Sequence, residues 1–227
     1  MNGRTALIAG ATGLTGSHVL KNLLNSSTYS RIITIGRRSP EADHSKLTAY
    51  EGPFNRLEEI LADDSIDDIY CCLGTTMKKA GSRPAFYKVD FEYVVNLAEY
   101  GVDNGAKQFI LISSAGANSE SSSFYIRVKG QVEKAVRILN FRGVHILRPS
   151  LLTGERDESR PGERIAEWLL RLAGPLMIGP LQKYRPINAR TVAAAMVSIG
   201  AADVPGVFFY ESDEINAIGE RYREQKT

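Results

Sequence analysis

The sequence predicts an α/β fold in which a doubly wound parallel sheet carries helices on both faces. Short apolar runs alternate along the chain with longer segments of helical periodicity, as they do in repeated βαβ units. A loop with three spaced glycines separates the first apolar run from the first helical segment. The 227 residues are enough for one sizeable core, or for one domain with a small appendage.

The elements can be placed in order along the chain. Pro84 suits the first turn of the third helix, because proline is tolerated where a helix begins, and Gly105 suits its end. Strands are expected near 4–10, 31–36, 46–51, 68–74, 107–113 and 143–148, with a late strand near 206–210. The helices between them are expected near 14–25, 55–62, 84–104 and 124–140.

The character of the chain changes after the sixth strand. Residues 153–163 are polar and rich in turn formers, and helical patterns follow near 163–173 and 188–202. This tail is too short for an independent domain, so we expect residues 1–227 to form a single domain. Residues 150–227 are expected to contribute a small C-terminal helical cap over the carboxyl ends of the strands, where open α/β sheets bind ligands.

Composition argues against several classes of protein. A net charge of +2 gives no reason to expect nucleic acid or an acidic membrane surface as a partner. No apolar run approaches the roughly 18–20 residues that span a bilayer, and no signal peptide precedes the first strand. The adjacent Cys71 and Cys72 would point to opposite faces of a strand, which argues against a disulfide and favours a cytoplasmic location. Three scattered histidines show no metal-ligand spacing, so we expect no metal site.

The segment Gly10-Ala-Thr-Gly13-Leu-Thr-Gly16 predicts that the protein binds a dinucleotide. It follows the first strand and opens a helix, which is the context of the Rossmann fold. Gly10 permits a sharp turn, Gly13 lets the backbone approach a diphosphate, and Gly16 lets the helix lie close to the sheet. No Gly-Lys-Ser/Thr follows, which excludes a Walker-type loop.

The end of the second strand favours NADP over NAD. Proteins that bind NAD usually carry Asp or Glu about 20 residues after the glycine loop, where it holds the ribose 2′-hydroxyl. Here Arg37 and Arg38 follow the strand, and the first carboxylate is Glu41. A guanidinium in this place would attract a 2′-phosphate and stack on adenine. The alternative is a pair of solvated surface arginines.

The segment Tyr125-Ile-Arg-Val-Lys129 places an ammonium where a core helix should carry an apolar residue. At about 100° per residue, Tyr125 and Lys129 share the apolar face of their helix, one turn apart and directed toward the protein. A phenol beside an ammonium is a candidate proton donor or acceptor, since a nearby positive charge lowers the pKa of a phenol. The alternative is a lysine whose ammonium extends to water.

Two further strand ends border the same cleft. The fourth strand ends in Leu73-Gly74-Thr75, where Gly74 would allow close passage of a ribose. The fifth ends in Ser113 and Ser114, and side-chain alternation lets only one of them face the cleft. That serine could donate a hydrogen bond to a substrate carbonyl. Ordinary strand-to-loop turns are the alternative for both segments.

These motifs occur in the order seen in short-chain dehydrogenases/reductases (SDRs). The chain resembles the atypical SDR branch of that superfamily and, more narrowly, the Tat-interacting-protein-like NADP-binding oxidoreductases. The narrow resemblance rests on the segments 71–76, 124–130 and 158–163. It extends from residue 10 to about residue 163, and the tail is similar only more loosely.

The resemblance implies a role for each site residue. Tyr125 would be the general acid that protonates a carbonyl oxygen, while Lys129 would lower its pKa and hold the nicotinamide ribose. Ser114 rather than Ser113 would orient the carbonyl, because the family's serine precedes a small residue, here Ala115. The residues that would bind NADPH are Gly10, Thr12, Gly13, Leu14, Thr15 and Gly16 at the diphosphate, Arg37 and Arg38 at the 2′-phosphate, and Leu73, Gly74 and Thr75, with Tyr125 and Lys129, at the ribose and nicotinamide.

Two features depart from the family pattern. Many members support the lysine through an asparagine and a water molecule, whereas Asp90 occupies that place here. The loop between the serine and Tyr125 is also short. Both departures bear on the proton relay more than on cofactor binding.

The resemblance implies an oxidoreductase that uses NADPH to reduce a small carbonyl compound, or that oxidises the alcohol. An alternative of a different class is an NADP-binding regulatory or scaffold protein with little or no turnover. Nucleotide-sugar modification is a weaker third hypothesis, because the tail is short for a sugar-nucleotide pocket. Members of the superfamily often pair, so a homodimer is a further expectation.

Overall fold

The computed structural model describes residues 3–62, 64–154 and 185–226. The strands of its main sheet are β1 (Arg4–Ala9), β2 (Tyr29–Gly36), β3 (Leu47–Glu51), β4 (Asp68–Cys71), β5 (Gln108–Ile112), β6 (Gly143–Arg148) and, after a separate short pair, β9 (Gly206–Glu211). They lie in the order β3-β2-β1-β4-β5-β6-β9, and all neighbours run parallel. The short pair is β7 (Leu152–Thr153) with β8 (Ile187–Asn188). The prediction of a doubly wound parallel sheet is confirmed.

Helices cover both faces of the sheet. They are α1 (Leu14–Leu24), α2 (Leu57–Ile60), α3 (Met77–Ala80), α4 (Arg83–Tyr87), α5 (Tyr93–Asp103), α6 (Phe124–Arg137), α7 (Ala189–Ala202) and α8 (Ser212–Glu224). A π-helical turn at Lys88–Glu92 joins α4 to α5, so the single helix expected over 84–104 is in fact three joined segments. Within the described ranges no helix is long and apolar enough to cross a membrane.

The central strands are apolar on both sides because each side faces a separate core. Leu7 and Ala9 of β1 belong to the cluster that α2, α5 and α6 cover. Ala6 and Ile8 of the same strand belong to the cluster under α1, α7 and α8. Burial on both faces explains why the central strands appear in the sequence as nearly continuous apolar runs.

The described parts of the tail pack against the sheet, and the late strand expected near 206–210 is present. Within 150–227, β9 pairs with β6, while α7 packs between α1 and α8. The reason is that α7 is apolar on nearly every side, and such a helix must be covered by several neighbours. The helical pattern near 163–173 lies outside the described residues.

Candidate active site

The glycine loop places its backbone where side chains cannot fit. Gly10 has a φ of +85°, and a β-carbon there would lie 2.7 Å from the carbonyl oxygen of Cys72. A β-carbon on Gly16 would lie 2.1 Å from the carbonyl oxygen of Gly10. The loop is thus packed tightly against both α1 and the chain after β4, as a narrow phosphate-binding turn requires.

The amino end of α1 is open to an anion. Gly13 is its N-cap and has no side chain to accept from the first backbone N–H groups, and the first turn carries no acidic residue. Thr12 and Gly13 are exposed, whereas Thr15 is buried. Uncapped N–H groups and the helix dipole attract negative charge, so this cradle fits the diphosphate of a dinucleotide.

Arg37 and Arg38 extend from the end of β2 into solvent. Both are exposed, and neither forms an ion pair with a residue that the structure describes. The turn that carries them is held by the backbone N–H of Ser39, which donates to a Glu51 carboxylate oxygen at 2.7 Å. This hydrogen bond lowers the pKa of Glu51. The two guanidinium groups are therefore open to a phosphate, beside the strand that carries the glycine loop.

Lys129 points into the protein and pairs with Asp90. Its Nζ lies 2.8 Å from Oδ1 of Asp90, and both side chains are buried. The other oxygen of Asp90, Oδ2, accepts the backbone N–H of Thr75 at 2.8 Å. Burial alone would lower the pKa of Lys129, but the Asp90 carboxylate and then the Tyr125 phenol outweigh it, so the pKa is raised and the lysine keeps its charge.

The π-helical turn accounts for the position of Asp90. Within it the backbone N–H of Tyr93 donates to the carbonyl oxygen of Lys88, five residues earlier. A wide turn inserts an extra residue and so rotates the helix faces before and after it. Asp90 lies in this turn and is fully buried, whereas Lys88 is exposed. The family resemblance placed Asp90 near the lysine, and the π-helical turn, which the sequence did not predict, is the local geometry that accompanies its burial.

Tyr125 lies in the first turn of α6, at the rim of the cleft. Its side chain is 37% exposed, and its ring centroid is 5.7 Å from that of the buried Phe86. The expectation that Tyr125 and Lys129 both face the protein is therefore correct for Lys129 and only partly so for Tyr125. The two lie one helical turn apart, but α6 begins at Phe124, so no preceding turn covers the tyrosine.

The two serines after β5 point in different directions. The Ser113 hydroxyl is buried and donates to Glu133, whose carboxylate also accepts from Arg148 at 3.1 and 2.6 Å. The nearest partner of the Ser114 hydroxyl is a backbone oxygen of Ala115 at 3.5 Å. Ser113 is thus engaged in a charged network, while the partly buried Ser114 forms only this long hydrogen bond among the contacts described.

The short loop after Ser114 is held against α6. The backbone N–H of Asn118 donates to the carbonyl oxygen of Ile126 at 3.2 Å. A β-carbon on Gly130 would lie 2.1 Å from the backbone nitrogen of Ser119. Sequence reasoning missed this role of Gly130, although the glycine directly after Lys129 was the available signal. The contact fixes the loop relative to the helix that carries Tyr125.

The chain after β4 joins these parts. A β-carbon added to Gly74 would lie 3.7 Å from Nζ of Lys129, while Cys72 contacts the glycine loop. Leu73 and Thr75 are partly buried beside them. The structure therefore brings the glycine loop, residues 73–75 and Lys129 together at the carboxyl edge of the sheet. Arg37 and Arg38 lie apart, beyond β1.

Neither thiol chemistry nor a metal is evident in the parts of the chain that the structure describes. Both cysteines are free thiols, and burial raises the pKa of Cys71 to about 12 and that of Cys72 well above its usual value. No group of three potential metal ligands occurs within 3–62, 64–154 and 185–226.

Comparison with known sequences supports the resemblance seen in the motifs. A profile of the NAD dependent epimerase/dehydratase family matches residues 6–206. Protein HTATIP2 of Rattus norvegicus is 38% identical over 182 residues, which are 75% of this chain and 70% of that protein. Protein fmp52, mitochondrial, of Aspergillus niger is 35% identical over 212 residues, which are 88% of this chain and 88% of that protein. The predicted relationship to Tat-interacting-protein-like proteins of the SDR superfamily is confirmed.

Solved structures share the fold. MoeE5 in complex with UDP-glucose and NAD superposes with a TM-score of 0.67 and 18% identity, covering 96% of this chain and 81% of MoeE5. UDP-N-acetylglucosamine 4-epimerase from Methanobrevibacter ruminantium M1, in complex with UDP-N-acetylmuramic acid, gives a TM-score of 0.69 and 18% identity, covering 97% of this chain and 81% of that one. At such identities the likeness establishes the Rossmann fold alone.

The comparison overturns one prediction and establishes the family. The expected cytoplasmic location is wrong, because relatives from several fungi are named mitochondrial proteins. Free cysteines and a near-neutral charge are compatible with more than one reducing compartment. The prediction of a cytoplasmic location from these features therefore had too little basis. With a profile match from residue 6 to 206 and relatives matched over most of their length, the chain belongs to the NAD dependent epimerase/dehydratase family.

Proposed function

We propose that the protein is an NADP(H)-dependent oxidoreductase that reduces a small carbonyl compound or oxidises the corresponding alcohol. The observation that carries the proposal is the buried ion pair of Lys129 and Asp90, one helical turn from Tyr125 and against the chain that follows β4. Burying an ammonium and a carboxylate costs several kcal/mol per ion before they attract each other. A helix with a purely structural role would carry an apolar residue at position 129, so the pair supports a chemical role.

The proposed nucleotide site runs along the carboxyl edge of the sheet. The diphosphate would bind the cradle of Gly10, Thr12, Gly13, Leu14, Thr15 and Gly16, and the nicotinamide ribose would lie against Leu73, Gly74 and Thr75. NADPH, when bound, supplies the hydride. The exposed Arg37 and Arg38, without a partner carboxylate in the described residues, support the choice of NADP over NAD.

The proton chemistry is assigned to Tyr125. Its phenol would donate a proton to the carbonyl oxygen as that oxygen gains negative charge, and would take the proton back in the reverse direction. An ammonium has three N–H donors, and Asp90 lies on one side of that of Lys129 as its ion-pair partner. The ammonium would donate to the ribose hydroxyls and stabilise the phenolate. The Ser114 hydroxyl, outside the network that holds Ser113, would orient the carbonyl.

One observation favours a second function. The Asp90 carboxylate offsets the charge of Lys129 directly, so the lysine stabilises a Tyr125 phenolate less than an unpaired ammonium would. A site with a weakened proton relay and an intact nucleotide cradle would suit an NADP-binding regulator with little turnover. The substrate side of the pocket, which is expected within residues 150–227, would then serve no catalysis.

Nucleotide identification and a substrate screen separate the two functions. Nucleotide extracted from purified protein would be identified by mass, and NADPH oxidation would be followed with a broad panel of aldehydes and ketones. The oxidoreductase proposal expects bound NADP or NADPH and turnover of at least one compound above the protein-free rate. Bound nucleotide without any turnover would support the regulator and refute the enzyme. A protein that binds neither NADP nor NADPH would refute both the oxidoreductase and the regulator.

A further inference from the structure

A cationic segment lies beside the proposed proton donor. Between Asp68 and Asp90 the chain carries no carboxylate, whereas Lys78, Lys79, Arg83 and Lys88 all fall within it, on or beside α3 and α4. Positive charge is thus concentrated on one stretch of a chain whose overall charge is only +2. The function described so far makes no use of these four cations.

The segment is tied to the site at both ends. The backbone N–H of Thr75 donates to Asp90 at 2.8 Å, which closes residues 75–90 into a loop. Asp90 in turn pairs with Lys129. In the middle of the loop, the fully buried Phe86 contacts the rings of Phe124 and Tyr125, both at 5.7 Å between centroids. Arg83, which lies on the same helix as Phe86, is therefore held near Phe124, the residue next to Tyr125.

Two guanidinium groups share the ring next to Tyr125. The Cζ of Arg83 lies 5.2 Å from the centroid of Phe124, and the Cζ of Arg127 lies 5.9 Å from it. One nitrogen of Arg127 donates to the carbonyl oxygens of Ser121 and Ser122, at 2.6 and 3.1 Å, which orients the group without neutralising it. Stacking on Phe124 restricts Arg83 in a similar way.

Neither arginine is paired with an acid among the residues that the structure describes. Elsewhere in the fold, buried or half-buried arginines do have such partners: Arg4 pairs with Asp68, and Arg148 pairs with Glu133. Two like charges near one ring repel each other, and a bound carboxylate would offset that repulsion. Guanidinium groups also match the geometry of a carboxylate with two parallel hydrogen bonds.

We propose that Arg83 and Arg127 bind the anionic group of the substrate, so that the substrate class is a carbonyl compound that also carries a carboxylate. This proposal rests on the oxidoreductase function and names its substrate class. The carboxylate would lie at Phe124 while the carbonyl reaches Tyr125, which is the next residue on α6. The cationic loop would also raise the local concentration of anionic substrates.

The test compares two aldehydes of similar shape and different charge. Reduction of 4-carboxybenzaldehyde and 4-methylbenzaldehyde would be measured with the wild type and with Arg83→Gln, Arg83→Lys and Arg137→Gln. Arg137 is an exposed arginine in the last turn of the same helix and serves as the matched control. We expect the kcat/KM ratio of the charged to the neutral aldehyde to fall about tenfold in Arg83→Gln, the equivalent of one charge-assisted hydrogen bond. Arg83→Lys should recover part of the ratio, and Arg137→Gln should keep it.

A binding experiment keeps this proposal separate from the catalytic one. Calorimetry would titrate benzoate and benzamide into protein saturated with NADP⁺, for the wild type and Arg83→Gln. Binding of benzoate that weakens in Arg83→Gln, in a protein that reduces no aldehyde, would support the anion site and refute the oxidoreductase. Equal kcat/KM ratios in all variants, or benzoate and benzamide binding equally, would overturn the anion site.

Discussion

The Lys129 ammonium lies 2.8 Å from the Asp90 carboxylate, and both groups are buried at the carboxyl edge of the sheet. Because Asp90 also accepts the Thr75 N–H, this one carboxylate joins α6 to the loop after β4. In many SDRs an asparagine supports the lysine through water, so the contact here is more direct and carries a charge. We therefore expect the pair to affect both the stability of the fold and the position of Lys129 in the site.

Asp90→Asn should destabilise the protein by leaving a buried ammonium without its counter-charge. We expect the free energy of unfolding to fall by about 3 kcal/mol, as when one partner of a buried ion pair is removed. Adding Lys129→Met to this variant removes the stranded charge and should recover most of the loss. Urea denaturation of the two single variants and the double variant would measure the coupling.

Asp103→Asn is the matched control for that experiment. Asp103 is exposed at the end of α5, so its replacement should change the free energy of unfolding by less than about 0.5 kcal/mol. If Asp90→Asn is no more damaging than Asp103→Asn, the buried ion pair contributes nothing and our account of it fails.

Gly130→Ala should disturb the contact between α6 and the loop that follows Ser114. The added β-carbon would lie 2.1 Å from the backbone nitrogen of Ser119, and a backbone cannot yield as a flexible side chain does. We expect a loss of about 2 kcal/mol, within the usual range for overpacking. Gly36→Ala is the control, since its β-carbon would meet nothing closer than 3.6 Å. Equal melting temperatures for the two variants would contradict the close approach.

Arg37→Ala should weaken NADPH binding selectively. If a guanidinium holds the 2′-phosphate, its loss should raise the Kd for NADPH about tenfold and leave that for NADH nearly unchanged. Fluorescence titration of both nucleotides would measure the two constants, and Arg137→Ala would control for the loss of one surface charge. A wild type with equal affinities for the two nucleotides would refute the role of the arginine pair.

His145 should make stability depend on pH. The ring is fully buried, stacks on Phe208 and contacts the Tyr210 hydroxyl at 3.0 Å, and burial lowers its pKa. A pKa lowered by folding gives stability that is present above the unfolded value of about 6.5 and is lost as pH falls through the folded value. We therefore expect the wild type to lose more stability between pH 7.5 and pH 5 than His145→Phe does. The exposed His44, changed to Gln, should leave the wild-type slope intact, and a slope unaffected by His145→Phe would refute the assignment.

The sequence pattern predicted the sheet better than the segments that connect it. Buried strands such as β5 and β6 are recognisable in the sequence as apolar runs. The spacing of the three glycines likewise predicts the shape of their loop. The helix α3 has only four residues, which is too short to show helical periodicity in the sequence. The π-helical turn could not be predicted either, since a wide turn has no periodic signature. The apolar pattern of the α7 segment predicts that the helix is buried. It does not predict which elements cover it, so its place between α1 and α8 is known only from the structure.

The same motifs predicted most of the site residues, but not all of the contacts between them. Lys129 could be identified because an ammonium interrupts an apolar stripe. The family resemblance placed Asp90 in the position that supports the lysine, but the direct ion pair across 39 positions of the chain is seen only in the fold. The choice of Ser114 over Ser113 came from the family pattern, and the Glu133 network supplies a physical reason why Ser113 is engaged elsewhere. The assigned site roles, the substrate-side cap from residues 150–227 and the homodimer stay predictions.

Tyr125→Phe tests the central claim most directly. The change removes one hydroxyl from a 37% exposed side chain and keeps the ring that packs on Phe86. With any aldehyde or ketone that the wild type reduces, kcat should fall at least about a hundredfold, the usual contribution of a positioned proton donor, while NADPH titration shows binding close to that of the wild type. Undiminished turnover in Tyr125→Phe would contradict the account.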